Sequence, residues 1–409
     1  MELLIMRVIL SNLTAIGQKT GIGHYITELA TSLRARAPQS RFDTFPGAVV
    51  TAGAGLMRSL RRRWGGRGQP NAAGQPEGKG DWATALGRKC AAWHFRAFWS
   101  WRNFDIYHEP NYIPFPCDRP TVATVHDLSV LLHPEWHPRH RVEHFARHFE
   151  AGLARCTRLL TDSEFTRQEL IDIFGIAPER VRRVPLGIRA DIAGQRAAGF
   201  SPAEFSPTSD TQAIRARFDL PPTYLLHVGT IEPRKNLRML MQAYCDLPGP
   251  VRERCPLLLA GGWGWNVADV ADYYHTVGRT RGIRHLGYVS DAELPALYRG
   301  ARALVFPTHY EGFGLPPLEM MACGGAVIAS RAGAVVETVG HQAHLVDAED
   351  IEGWRDAMLR VITESDWRDG LAHGGTETAG RYTWQRCALG TYAVYDEALG
   401  RNLQGALAA

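Results

Sequence analysis

Two acids, Glu311 and Glu319, lie in the run Tyr310-Glu311-Gly312-Phe313-Gly314-Leu315-Pro316-Pro317-Leu318-Glu319, which follows the apolar stretch from Ala303 to Pro307 after two residues. This order predicts a strand, a loop and a helix start. A proline in the first helical turn forfeits no hydrogen bond, and glycines let a ligand come close to the backbone. Amides left free at a helix start face an anion such as phosphate. Glu311 then lies on the loop and Glu319 about a turn into the helix, so the two can grip different parts of one ligand. Carboxylates accept hydrogen bonds from sugar and ribose hydroxyls, whereas glycine amides donate to phosphate or sugar oxygen. That division suits a nucleotide sugar. Taken alone, either acid reads equally well as a solvent-facing glutamate or one favoured by the helix dipole.

A second run, His227-Val228-Gly229-Thr230-Ile231-Glu232-Pro233-Arg234-Lys235-Asn236, reads as a buried strand ending in glycine, a short loop with adjacent cations, and a helix. Ligands bind at the carboxyl ends of parallel strands. There Arg234 and Lys235 can neutralise the charge a diphosphate gains as its bond to a sugar breaks; the alternative is a solvated cation pair. His140, His144 and His148 recur every four residues with His137 nearby, but no acid or cysteine completes a ligand set and Arg139, Arg141 and Arg147 repel a cation, so no metal is expected. A positively charged rim on the acceptor side suits these histidines better.

The elements that position these motifs come in two sets. Short aliphatic runs alternate with helical stretches, as in parallel sheets covered by helices. The first set is Arg7–Ser11, Asp105–His108, Thr121–His126, Leu159–Asp162 and Val181–Pro185; the second is Tyr224–Gly229, Leu257–Gly261, Ala303–Pro307, Ala326–Ser330 and His344–Asp347. Residues 192–222 lack a sustained apolar period and read as a linker between domains at 1–191 and 223–384, with 385–409 a terminal helix. Ser290-Asp291-Ala292-Glu293 has capping-box spacing for a helix through Tyr298. Gly65 to Gly80 is glycine-rich and reads as a mobile loop, flanked by stretches mixing Arg and Lys with Leu56, Trp64, Trp93, Phe95, Phe98, Trp99 and Trp101. Such flanks suit a membrane interface or a pair of helices packed on the first sheet.

In this order the motifs resemble the family-four retaining glycosyltransferases. The resemblance spans nearly the whole chain. It is carried by Gly21-Ile22-Gly23, Val125-His126-Asp127-Leu128, Thr161-Asp162-Ser163-Glu164-Phe165-Thr166, Val184-Pro185-Leu186-Gly187-Ile188, Glu232-Pro233-Arg234-Lys235-Asn236, Gly287-Tyr288-Val289 and the spaced glutamates. It implies an α/β fold of the B type, two Rossmann-like domains facing a central cleft, with a last helix crossing back to the first domain. By the same resemblance Lys235, with Arg234, holds the donor diphosphate and Glu319 the ribose. Glu311 and the amides of Gly312, Phe313, Gly314 and Leu315 hold the sugar. His126 reaches the transferred sugar, Gly23 lies near the phosphates or acceptor, and Gly287–Val289 near the base. Many relatives carry arginine directly after the glycine of the first C-domain strand; here that position is Thr230, and Arg234 is the candidate substitute. His126-Asp127 also reads as a buried polar pair, and His309 stands where relatives often carry an apolar residue.

Length and composition bound the partners. A chain of 409 residues exceeds what one core organises, and 45% hydrophobic with 22% charged residues is ordinary for a globular chain. The net charge is +4, but residues 51–100 hold nine Lys and Arg against Glu77 and Asp81, a local +7 that leaves −3 elsewhere. One anionic partner, such as a membrane surface, is implied, and a nucleic-acid binder is not. Seven cysteines without a CxxC pair suit a reducing cytoplasm, and the apolar N-terminal run is too short to span a bilayer. The expected activity is transfer of a hexose, with mannose from GDP-mannose as the best guess, to a lipid-linked or oligosaccharide acceptor, without cofactor or metal. UDP-glucose and UDP-N-acetylglucosamine are the alternative donors, and a nucleotide-sugar epimerase of the same architecture is the alternative enzyme.

Overall fold

A computed structural model describes residues 5–13, 21–46, 92–100, 102–193 and 209–401. By contacts the chain divides into two units, the first comprising Met1–Leu131, Arg139–Gly187 and Trp384–Ala409, the second Leu132–Pro138 and Ile188–Thr383. Each is built on a six-stranded parallel sheet with helical crossovers.

In the first unit the strands are β1 (Arg7–Ser11), β2 (Arg41–Phe45), β3 (Ile106–Glu109), β4 (Thr121–Val125), β5 (Arg158–Thr161) and β6 (Val181–Arg183), in the order β2-β1-β3-β4-β5-β6. β3 and β4 are buried throughout, as strands covered on both faces must be. Helix Gly21–Arg36 crosses from β1 to β2, and helix Trp384–Ala398 packs along it. Gly21 and Gly23 therefore lie inside a first helical turn, where the sequence pointed to a loop. Helix 92–100 seats Phe95, with Phe98 and Trp99, against Ile9, Phe45, Phe104 and Tyr107. For that flank the helix-on-sheet reading holds; the basic stretch and glycine-rich loop at 51–91 lie outside the described residues.

The second unit contains β7 (Leu225–Val228), β8 (Leu257–Ala260), β9 (Ile283–Gly287), β10 (Ala303–Phe306), β11 (Ala326–Ser330) and β12 (His344–Val346), ordered β12-β11-β10-β7-β8-β9. This is the Rossmann order, and it reverses between β7 and β10, which pair directly. Trp354, Met358 and Val361 of helix Ile351–Thr363 pack with Leu240, Met241 and Tyr244 of helix Leu237–Cys245 in the unit's main core.

Three expectations need correction. β2 and β9 were absent from the sequence reading because both are edge strands, half covered, with sequences (RFDTF, IRHLG) that show no apolar run. The stretch read as a linker contains helix Ser209–Arg217, which packs near helix Leu294–Gly300 in the second unit. The contact boundary falls at Gly187/Ile188 because Ile188 bridges to Thr383 and donates its amide to the Tyr382 carbonyl at 3.0 Å.

Candidate functional site

The loops after β7 and β10 emerge side by side at the point where the strand order of the second unit reverses, the place where open α/β sheets bind ligands. After β7 the chain runs through Gly229 into a single 3-10 turn, Pro233–Lys235. Asn236 then takes a left-handed conformation (φ 54°) before helix Leu237–Cys245, and its side-chain amide donates to the Ala348 carbonyl at 2.7 Å. Such a reversal suits asparagine better than most residues, and it leaves both cations of the turn directed at the β10 loop. Gly261, at the end of β8, is required by close approach, since a Cβ there would lie 1.9 Å from the Gly229 carbonyl oxygen.

Glu311 is the centre of the cluster. Its Oε1 accepts from the Lys235 ammonium and pairs with Arg234 Nη1 at 2.8 Å; the Thr308 hydroxyl donates to the same oxygen at 3.2 Å. Arg234 is itself fixed by Glu232 at 2.6 Å and by donation to the Tyr310 carbonyl at 3.0 Å. Lys235, Glu311 and Glu232 are all buried. Burial pushes the Glu311 carboxyl up, but Arg234 and Lys235 outweigh it and hold it down to about 2. Burial and Arg234 draw the Lys235 ammonium below the ordinary lysine value, and Glu311 opposes them. His227, beneath the turn, donates from Nδ1 to the Val305 carbonyl at 3.1 Å, and its Nε2 has no partner among the described residues. Burial and Lys235 lower it to about 4, so it adds no charge at neutral pH.

The loop 307–314 ends at Gly314, whose φ of 96° admits no ordinary side chain without strain. Helix Leu315–Ala322 begins there, with Pro316 at its second residue. The Thr338 hydroxyl donates to the Phe313 carbonyl at 3.0 Å, and the Ala334 amide to the Glu311 carbonyl at 3.0 Å, which together fix the loop's path. Glu319, buried on this helix, accepts from the Tyr298 hydroxyl at 2.7 Å. Burial raises its carboxyl, while Arg189 and the Tyr298 hydroxyl pull it back. Arg189 is held by Asp291, through its side chain at 3.0 Å and its carbonyl at 2.8 Å. A cationic pair, a helix start and a buried carboxylate along one sheet end can bind an anion joined to a polyol.

The structure thus joins Arg234, Lys235 and Glu311 in one ion cluster and places Gly312, Phe313, Gly314, Leu315 and Glu319 on the continuous loop and helix that follow. Among the described residues the two glutamates share no hydrogen-bond partner: Glu311 belongs to the cations, Glu319 to Tyr298. Gly23 and His126 lie in the first unit. Gly23 is buried and its carbonyl accepts from the Thr27 hydroxyl at 2.9 Å. His126 contacts Asp162 Oδ2 through Nδ1 at 2.7 Å and the Pro110 carbonyl through Nε2 at 2.9 Å, so its partner is Asp162 rather than the adjacent Asp127. His309 pairs with Glu349 at 3.2 Å and stacks on Trp136. Among the described residues no group of three His, Cys, Asp or Glu is arranged to hold a metal.

Residues 20–192 match the family described as Glycosyltransferase Family 4, and residues 210–377 match Glycosyl transferases group 1. The O-antigen chain mannosyltransferase B of Escherichia coli is 35% identical over 303 residues, 73% of this chain and 77% of that protein. The chain belongs to glycosyltransferase family four. A serotype-specific mannosyltransferase, WbdA of Escherichia coli, is 29% identical over 69% of this chain, which spans 34% of that longer protein. Among solved structures, the sucrose-phosphate synthase of Thermosynechococcus elongatus superposes with a TM-score of 0.69 at 19% identity, covering 97% of this chain and 99% of that one. The lipopolysaccharide glycosyltransferase WaaG gives 0.67 at 15% identity, covering 95% and 99%. This family-four glycosyltransferase therefore has the B-type fold, with two Rossmann-like domains.

Sequence reasoning missed Glu232, Thr308, Tyr298 and Arg189 as parts of this region. Glu232 was visible as the acid two residues before Arg234, on the same turn. Tyr298 and Arg189 carry no local signal, because their partners are distant in the chain.

Proposed function

We propose that the protein is a retaining, metal-independent hexosyltransferase of the cytoplasm that moves mannose from GDP-mannose to a lipid-linked glycan or polysaccharide. The observation that carries the reading is the buried cluster in which Arg234 and Lys235 converge on Glu311 beside the start of helix Leu315–Ala322. Fixed cations and helix-start amides stabilise the charge that appears on a departing diphosphate. Glu311, held ionised by two cations, is a weak base and a weak nucleophile. That supports a route in which the acceptor attacks on the face the diphosphate leaves and a phosphate oxygen takes the proton, without a glycosyl-enzyme intermediate. Glu311 then orients the sugar and faces its developing positive charge; Glu319 holds the ribose.

Mannose is favoured by the names of the two Escherichia coli relatives, both mannosyltransferases, and the O-antigen relative favours a polysaccharide acceptor. The basic segment 51–100 is proposed as a contact with anionic membrane. Gly23 and His126 are proposed on the acceptor side, where His126 would exchange its bond to the Pro110 carbonyl for one to a sugar hydroxyl.

The test is a panel of GDP-mannose, UDP-glucose and UDP-N-acetylglucosamine, each without acceptor and then with membrane extract, with and without chelator. Release of GDP with mannose on lipid, unchanged by chelator, is expected. Sugar delivered only from a UDP donor overturns the donor assignment, and a changed free sugar would indicate epimerisation instead.

A further inference from the structure

We propose that Tyr298 is a positioning residue for nucleoside recognition: its hydroxyl fixes the Glu319 carboxylate in the plane needed to receive the vicinal diol of a ribose. The inference rests on the reading of Glu319 as the ribose contact and goes beyond it by assigning what makes that contact selective.

Tyr298 is 1% exposed and Glu319 7% exposed, and the phenol donates to Glu319 Oε2 at 2.7 Å. Burial pushes the phenol well up, so it stays a proton donor throughout the working range. A carboxylate offers about four acceptor sites over its two oxygens. Tyr298 fills one of them, and no other hydrogen bond to Glu319's side chain occurs among the described residues, so the rest remain for a ligand.

The phenol is itself immobilised. Tyr298 lies on helix Leu294–Gly300, whose start is fixed by Glu293, which accepts from the Ser290 amide at 2.8 Å and the Ser290 hydroxyl at 2.6 Å. The neighbouring Leu297 carbonyl accepts from Tyr224 at 2.8 Å. A rigid ring on a pinned helix holds the carboxylate in one orientation before ligand arrives, which lowers the ordering cost of binding. Arg189 contributes charge to the same carboxylate but makes no hydrogen bond to it; its two terminal nitrogens engage Asp291 and Asp191, while its Nε has no hydrogen-bond partner among the described residues.

The test measures affinities for GDP and for its 2′,3′-dideoxy counterpart in the wild type, Tyr298→Phe and Glu319→Ala, with melting curves confirming that each variant folds. Tyr298→Phe keeps the ring, so the packing of its helix is retained. The expected result is a roughly tenfold loss of GDP affinity in Tyr298→Phe with dideoxy-GDP binding changed less than about twofold, a selectivity a merely structural defect would not produce. Equal weakening of both ligands, or no change in either, overturns the proposal while leaving Glu319 in place, provided Glu319→Ala abolishes the preference for GDP. If Glu319→Ala keeps that preference, or wild type shows none, the ribose reading fails and this inference with it.

Discussion

Glu311 sits between two cations in a buried setting, so its protonation state is linked to folding. Its folded value, about 2, lies below the ordinary glutamate value of 4.5. A depressed acid contributes stability that is complete above the unfolded value and lost as pH falls through the folded one. The second unit should therefore lose on the order of 3 kcal/mol between pH 4.5 and 2 from this residue. Melting curves of wild type and Glu311→Gln across that range check it: the gap between the two should narrow toward pH 2, and a gap independent of pH refutes the linkage. At the same scale, Lys235→Ala and Glu319→Ala should each lower turnover or donor affinity at least ~10-fold, about 1.4 kcal/mol. Neither should unfold the chain, because Glu311 keeps Arg234 at 2.8 Å and Tyr298 keeps its packing. Unaltered kinetics in both variants would remove the site from consideration.

At the scale of elements, the site depends on two backbone reversals. Asn236 carries the chain from the 3-10 turn into helix Leu237–Cys245 with a left-handed φ and a side-chain bond to Ala348. Asn236→Ala sacrifices that bond and adds strain, together about 2 kcal/mol; denaturant titration measures the cost. A replacement by glycine should recover the conformational part alone. Gly314 at φ 96° is the second reversal; a Cβ there would meet Thr338 Oγ1 only at ordinary contact distance, 3.4 Å, so the cost of a side chain is the strained backbone. Gly314→Ala should raise KM for the nucleotide sugar several-fold, since it shifts the helix start where the amides lie. An unchanged KM in steady-state assays would show that the helix start does not contact the donor.

For the molecule as a whole, the terminal helix decides the integrity of the first unit. Trp384, Tyr392, Val394 and Tyr395 are buried. Tyr395 bonds His108 at 2.7 Å, Tyr392 bonds Ser40 at 2.9 Å, and Glu397 pairs with Arg158 at 3.4 Å and Arg182 at 3.0 Å. Large apolar side chains contribute about 1.5–3 kcal/mol each when buried, so four of them match much of a domain's ~5–15 kcal/mol margin. A chain ending at Thr383 should leave the first unit open to protease while residues 209–383 of the second stay resistant. Mass spectrometry of the surviving fragments distinguishes this from a helix that is dispensable.

The sequence by itself determined the alternation of strands and helices, the two-sheet plan, the terminal helix, the turn that carries Arg234 and Lys235, and the loop and helix that carry Glu311 and Glu319. Those features are local: buried parallel strands must be apolar on both faces, and glycine and proline mark the turns between them. It could not determine β2 and β9, whose half-covered edges leave no apolar run, nor the partner of His126, where the adjacent Asp127 was the natural choice and Asp162 is the real one. Only the tertiary structure decided that the two glutamates serve separate partners, and that Tyr298 and Arg189 belong beside Glu319. Strand order brings those groups together, and strand order is set by which faces pack, a relation between distant segments that no spacing along the chain encodes.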